Sequence, residues 1–180
     1  MAQPNQYGTP TQFSKASAPF STTLSYQGLT FDIQSANKDI DNSITLTTKG
    51  LQRENLPIKE NIDGKVTGAE IADLNGEGFP EVYIYINAND ANAKGILLAY
   101  ASNKNISITP IHLPAITDDP KMALGYMGHD EFAVVENALE RRFRIDGKVS
   151  KDKYSYRQIQ YKLKAGEAKW LLVRTRATDF

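Results

Sequence analysis

Oxygen-bearing side chains recur at Asp73, Asn75, Glu77 and Glu81 in the stretch Asp73-Leu-Asn-Gly-Glu-Gly-Phe-Pro-Glu81. Alternate acidic and amide positions in a glycine-rich loop are how a hard cation such as calcium collects its ligands. The fifth position, however, holds Glu77 where calcium loops use the shorter aspartate, and the chain has no partner loop. A plain acidic turn is therefore the favoured reading, with no cofactor expected. A second constellation lies in Gly125-Tyr-Met-Gly-His-Asp-Glu-Phe132, where Tyr126, His129 and Asp130 fall close together. His129 could act as the general base of a hydrolase, oriented by Asp130. Immediate neighbours in an extended chain point apart, and no Ser or Cys sits in a recognisable nucleophile elbow. A structural or partner-binding loop is preferred, no catalytic residue is assigned, and the protein is read as a binder and not an enzyme. His112, inside an apolar run, reads as a satisfied strand residue.

Cations repeat at strand spacing in Arg141, Arg142 and Arg144 and again in Arg174 and Arg176. Such rows are expected to pair across strands with acids such as Glu136 and Glu140. Tyr83, Tyr85, Tyr100 and Tyr126 fit core or rim positions, with partner anchoring as the alternative. Lys and Arg number 21 against 21 Asp and Glu, so the formal net charge is zero and no field draws nucleic acid or an anionic membrane. Cysteine is absent, which excludes disulfides, thiolate zinc sites and thiol nucleophiles. No apolar run approaches the roughly 20 residues of a membrane-spanning helix, and the amino terminus lacks a signal-peptide pattern. The 180 residues suit one domain: a polar, Pro-containing flexible tail over 1–18, read as the start left after a leader was trimmed from an exported protein, then a single β-rich domain over 19–180.

The elements that must position these residues are strands. Phe20 to Tyr26 and Leu29 to Gln34 turn at Gln27-Gly28, and Ser43 to Thr48 repeats the alternation. Residues 52–64 read as a connecting loop. Lys65 to Leu74 and Val82 to Ile86 form a hairpin whose tight reversal is expected at Asn75-Gly76. Gly95 to Ala101, apolar on successive positions, reads as a central strand covered on both faces, and Ile106 to Leu113, interrupted by Pro110, as a peripheral one. A short helical turn is expected near Pro120. Glu131 to Ile145 reads as a hairpin turning near Asn137, and Tyr156 to Lys164 with Lys169 to Arg176 as another. The expected fold is all-β in the main, an antiparallel sandwich or barrel-like structure with at most one or two short helices.

Several separated blocks, in this order, resemble the bacterial periplasmic inhibitors of invertebrate-type lysozyme: Asp63 to Asn75, Pro80 to Ile86, Gly125 to Glu136, Arg141-Arg-Phe143 and Gln160-Tyr-Lys-Leu163. The resemblance spans roughly Phe20 to the carboxyl end. It implies a β-rich, often dimeric protein of the periplasm or the exterior that plugs the substrate cleft of a lysozyme. The family's plug is a Ser-Gly-x-Tyr loop, and the corresponding place here reads Ala88-Asn-Asp-Ala-Asn-Ala-Lys-Gly95, with neither that serine nor that tyrosine. Arg144 likewise stands where the family tends to have Pro after Phe. The expected partner-binding residues are Asn89, Asp90, Asn92, Lys94, Tyr126, His129 and Asp130, with Lys94 the best single candidate for meeting a catalytic acid. The alternatives are a calcium-stabilised envelope or adhesion-type domain using Asp73, Asn75, Glu77 and Glu81, and a hydrolase using His129. The expected partners are a lysozyme and, on the family pattern, a second copy of the chain, with no nucleic acid and no membrane insertion.

Overall fold

Alternating β-branched and polar residues dominate the chain, and a computed structural model, which describes residues 18–53, 55–150, 153–167 and 169–180, folds them almost entirely as strands. The tail read over 1–18 lies outside the described residues except for Ala18. Strands β1 (Phe20–Tyr26), β2 (Leu29–Ser35), β3 (Asn42–Lys49) and β4 (Ile58–Ile62) form one antiparallel sheet in chain order. The remaining strands are β5 (Gly64–Ala72), β6 (Glu81–Ala88), β7 (Gly95–Asn103), β8 (Ser107–His112), β9 (Glu131–Val135), β10 (Ala138–Ser150), β11 (Lys153–Ala165) and β12 (Trp170–Asp179). They form a second sheet, ordered β5-β6-β7-β8-β12-β11-β10-β9, that curls until its last strand returns to its first. The expected β-rich, sandwich- or barrel-like architecture is the one the chain adopts.

The closure is nearly complete. The Val134 N–H of β9 donates not to a carbonyl of β5 but to Glu70 Oε2, at 2.8 Å, and the same oxygen accepts the Tyr85 hydroxyl. A side chain thus stands in for part of a missing ladder. Inside the barrel lie Tyr83, Tyr85, Leu139, Phe143, Ile159, Tyr161 and Leu172. A separate core fills the space between the smaller sheet and the outside of the barrel, with Leu29, Phe31, Ile33, Ile44 and Leu46 from one side and Val82, Ile84 and Ile86 from the other. β6 contributes to both cores because successive side chains point to opposite faces, which explains its unbroken apolar run. Buried amides join the layers at one end: Asn37 brackets Val66, accepting its N–H at 2.9 Å and donating to its carbonyl at 3.0 Å, and Asn42 donates to the Gly64 carbonyl at 2.8 Å.

The short helical turn expected near Pro120 is present as a 3-10 turn at Ile116–Asp118 followed by α1 (Pro120–Ala123). Asp119 caps α1, accepting the Lys121 and Met122 N–H groups at 3.1 and 3.3 Å. The Arg157 guanidinium closes its other end by donating to the carbonyls of Lys121, Met122 and Leu124 while gripping Asp179 at 2.7 and 2.8 Å. No helix among the described residues is long and apolar enough to cross a membrane.

Three expectations are corrected. The loop read over 52–64 contains β4, whose Lys59-Glu-Asn61 centre is exposed, so it lacks the one-sided alternation that reveals a strand. The reversal between β5 and β6 is not a tight Asn-Gly turn. It runs from Asp73 to Pro80, with positive φ at Gly76 and Gly78 and not at Asn75. β8 is not peripheral: it lies between β7 and β12 and pairs parallel to β12 through Ile111 and His112, the one parallel pairing among the described residues. The turn between β9 and β10 falls where expected, at Glu136-Asn137, with Glu136 at positive φ.

Candidate functional site

The tip that joins β6 to β7, residues 89–94, is a self-tied hairpin end. Ala88 N–H donates to the Lys94 carbonyl at 2.9 Å, and Asp90 Oδ1 accepts the N–H groups of Asn92 and Lys94 at 2.9 and 3.3 Å. This short-range bonding holds Ala93 at φ +42°, in the left-handed region that asparagine and aspartate turns favour. Asn89 braces the tip sideways, its amide donating to the Asp39 carbonyl at 3.3 Å and to Asp63 Oδ1 at 3.4 Å. Beside the brace lies an open depression of about 580 Å³ rimmed by Asp39, Asp41 and Asp63, with Ile40 77% exposed at its edge. Asn92 and Lys94 stand out at the exposed end.

The segment before β9 packs against this tip. His129 N–H donates to the Asn92 carbonyl at 2.7 Å. Asp130 is the connecting group: Oδ2 accepts the Gly95 N–H at 2.9 Å and the Tyr126 hydroxyl, and Oδ1 accepts Arg141 Nε at 2.6 Å. The side chains of this ion pair are 0% and 5% exposed for Asp130 and Arg141. The guanidinium carbon lies 5.8, 5.4 and 5.6 Å from the ring centres of Tyr126, Phe132 and Phe143. Burial works against the Arg141 charge, but the Asp130 carboxylate outweighs it and holds the guanidinium above its ordinary pKa. Burial and the bond to Asp130 push the Tyr126 hydroxyl up. The cluster is a charged rivet under a polar tip.

All seven expected partner-binding residues therefore fall in one place, but they do different things. Asn89, Asp90, Tyr126 and Asp130 use their polar groups to build and hold the tip, whereas Asn92 and Lys94 are exposed and His129 is half-buried. His129 and Asp130 do not form a bonded dyad among the described contacts, because the Asp130 carboxylate is turned inward and His129 sits at φ +53°. Arg141 is corrected from a solvated, cross-strand-paired cation to the buried partner of Asp130. Other cations follow the expected pattern in part: Arg142 pairs with Glu131, Arg174 with Asp119 at 2.9 Å and Arg176 with Glu140 at 4.0 Å, while Glu136 occupies a turn.

Two glycines were missed as site residues. Gly128 is buried at φ +70°, and a Cβ there would fall against the Asn92 carbonyl oxygen and 2.9 Å from the Asn92 Cβ. A Cβ on Gly95 would strike Asp130 and come 2.7 Å from the Phe132 ring edge. Gly128→Ala is expected to cost about 1–2 kcal/mol from the strained φ alone, and to speed hydrogen exchange at His129 N–H. Unchanged exchange at that amide would disprove the close packing of the two loops.

At the other end of β6, the acidic loop is folded on its own oxygens. Asp73 Oδ1 and Oδ2 accept the N–H groups of Glu77 and Gly78 at 3.1 and 2.8 Å, and Asn75 Oδ1 accepts the Glu77 N–H at 3.0 Å. Glu81 Oε2 accepts the Leu74 N–H at 2.7 Å. Burial, opposed by that backbone bond and aided by the nearby charges of Asp73 and Glu77, pushes the Glu81 carboxyl up to about 7. No group of three or more His, Asp or Glu side chains among the described residues is arranged to hold a metal ion. Set against known proteins, the chain matches no family model, no curated protein and no solved structure.

Proposed function

We propose that this is an exported inhibitor, acting in the periplasm or outside the cell, that obstructs the substrate cleft of an invertebrate-type lysozyme with the 89–94 tip. The observation that supports this reading most is the Asp130–Arg141 rivet, which bonds the first residue of β7 and so fixes the tip from behind. A projection already held in one shape loses little conformational freedom on docking, so more of its contact energy appears as affinity. The blocks that carry the family resemblance meet at this rivet: Tyr126 and Asp130 come from one, Arg141 and Phe143 from another, and the Tyr126 and Phe143 rings meet edge-on with centres 4.8 Å apart.

The chemistry of the tip suits a glycosidase cleft. Such clefts carry a pair of carboxyl groups around the scissile bond, and Lys94 offers an exposed ammonium with the Asn92 amide beside it. Among the described residues the Lys94 side chain has no acidic partner, so docking breaks no existing pair. The tip lacks the family's serine and tyrosine, and on this reading Lys94 and Asn92 take over their donor role.

The test is the rate of cell-wall lysis by an invertebrate-type lysozyme at increasing concentrations of the protein. Inhibition is expected, and Lys94→Glu should weaken it about 30-fold or more, the size of a central interface contact of about 2 kcal/mol, with an unchanged melting temperature. Equal inhibition by both forms would remove the tip as the plug, and no inhibition of any such lysozyme by the native chain would remove the function.

A further inference from the structure

The Asp73–Glu81 segment lies at the opposite end of β6 from the tip, and one of its polar atoms has no partner. Glu81 is 0% exposed, and its Oε1 makes no hydrogen bond. The carboxyl is seated in the acidic loop: its other oxygen takes the Leu74 N–H, and the charges acting on it are those of Asp73 and Glu77. A buried carboxylate oxygen without a donor, under a loop that already carries two further acids, lacks a countercharge. Nothing cationic is supplied by the chain, since no Lys or Arg pairs with Asp73, Glu77 or Glu81 among the described residues.

We propose that this loop takes up a calcium ion, with the carboxylates of Asp73 and Glu81 and the amide oxygen of Asn75 as its side-chain ligands. The ligand chemistry is all oxygen, which selects a hard cation. Each carboxylate and amide oxygen engaged by a backbone N–H keeps a second lone pair, so the bonds that shape the loop leave it able to coordinate. Gly76 and Gly78, at φ +72° and +83°, let the loop fold back on itself: Asp73 Oδ1 and Asn75 Oδ1 both accept the Glu77 N–H, and Glu81 Oε2 accepts the N–H of Leu74, the residue between them. Glu77 is exposed at the rim and is not required. Two carboxylates, with loop carbonyls and water completing six to eight ligands, favour calcium over magnesium, which demands a compact octahedron. So sparse a ligand set belongs with the weak calcium sites of extracellular modules, with Kd about 0.1–1 mM.

The test uses the whole chain, freed of divalent ions with EGTA, and follows its melting temperature in 10 mM CaCl2, in 10 mM MgCl2 and in NaCl of matched ionic strength. Calcium is expected to raise the melting temperature by about 3–10 °C, from mass action at that affinity and the unfolding entropy of a chain this size. Asp73→Asn should abolish most of the rise. Should that variant not fold, Asn75→Ala, at a half-exposed position, makes the same comparison. A melting temperature equal in CaCl2 and NaCl overturns the proposal, as does a full calcium response in the variants. An equal rise with magnesium overturns the choice of ion. Because the loop and the tip sit at opposite ends of β6, Lys94→Glu should leave the calcium response intact, so failure of the inhibitor reading and failure of this site are separable.

Discussion

Asp130→Ala is expected to lower folding stability by about 3–5 kcal/mol, the cost of leaving one member of a buried ion pair without the other. That is a large share of the roughly 5–15 kcal/mol by which domains are stable, and urea denaturation at neutral pH would measure it. The loss has one dominant source. Arg141 cannot shed its proton, its side chain is 5% exposed, and the three rings around it offer a weak electrostatic substitute for the carboxylate. The Gly95 N–H and the Tyr126 hydroxyl lose their acceptor as well. Removing both charges is a different experiment. Asp130→Leu combined with Arg141→Met should recover most of the stability, because apolar residues of similar volume often replace a buried pair at no net cost.

The double variant then isolates what the pair does for the tip. Gly95 N–H would still lack a partner, so exchange at Gly95 and His129 should stay fast in a protein that is otherwise stable. A single Asp130→Ala loss under about 1 kcal/mol would mean that the guanidinium finds water or another acceptor, and the rivet would no longer explain the rigidity of the tip.

Legibility from sequence followed burial. β2 and β3 were readable because Leu29, Phe31, Ile33, Ile44 and Leu46 all face one core while Thr30, Asp32, Thr45 and Thr47 do not. β6 was readable because both of its faces are covered. β4 was not, since on this short edge strand the half-buried Ile58 and Ile62 that pack against the core are separated by the exposed Lys59, Glu60 and Asn61. The parallel pairing of β8 with β12 depends on only two register positions, and local spacing holds no record of so remote a partner. At the site, residue types pointed to both loops, but Arg141 looked like its neighbours, the exposed Arg142 and the half-buried Arg144. What sets it apart is position: on β10 it is cross-strand from Phe132, on the face that Asp130 enters. Gly128 left no sign beyond being a glycine before a histidine, because its role depends on the Asn92 carbonyl across the fold.

Glu70 is the second residue on which a large share of stability rests. Its Oε2 closes the barrel by accepting both the Val134 N–H and the Tyr85 hydroxyl, whose ionisation is suppressed first by burial and then by this bond. Glu70→Ala would strand two partly buried donors at about 1–3 kcal/mol each, so a loss of about 2–6 kcal/mol is expected in denaturant unfolding. Because β9 has a full ladder on its other side, with β10, the damage should be local before it is global. Hydrogen exchange at Val134 should accelerate well ahead of exchange at Leu139 or Phe143 in the barrel interior. Glu70→Gln keeps an acceptor of similar shape and should lose less, since it still takes the amide even where it serves the hydroxyl poorly. If Val134 stayed protected in Glu70→Ala and stability fell by less than about 1 kcal/mol, β5 and β9 would have to be held together by side-chain packing alone. The stacking of Phe132 on Tyr85, with ring centres 5.7 Å apart, would then be the contact that closes the barrel.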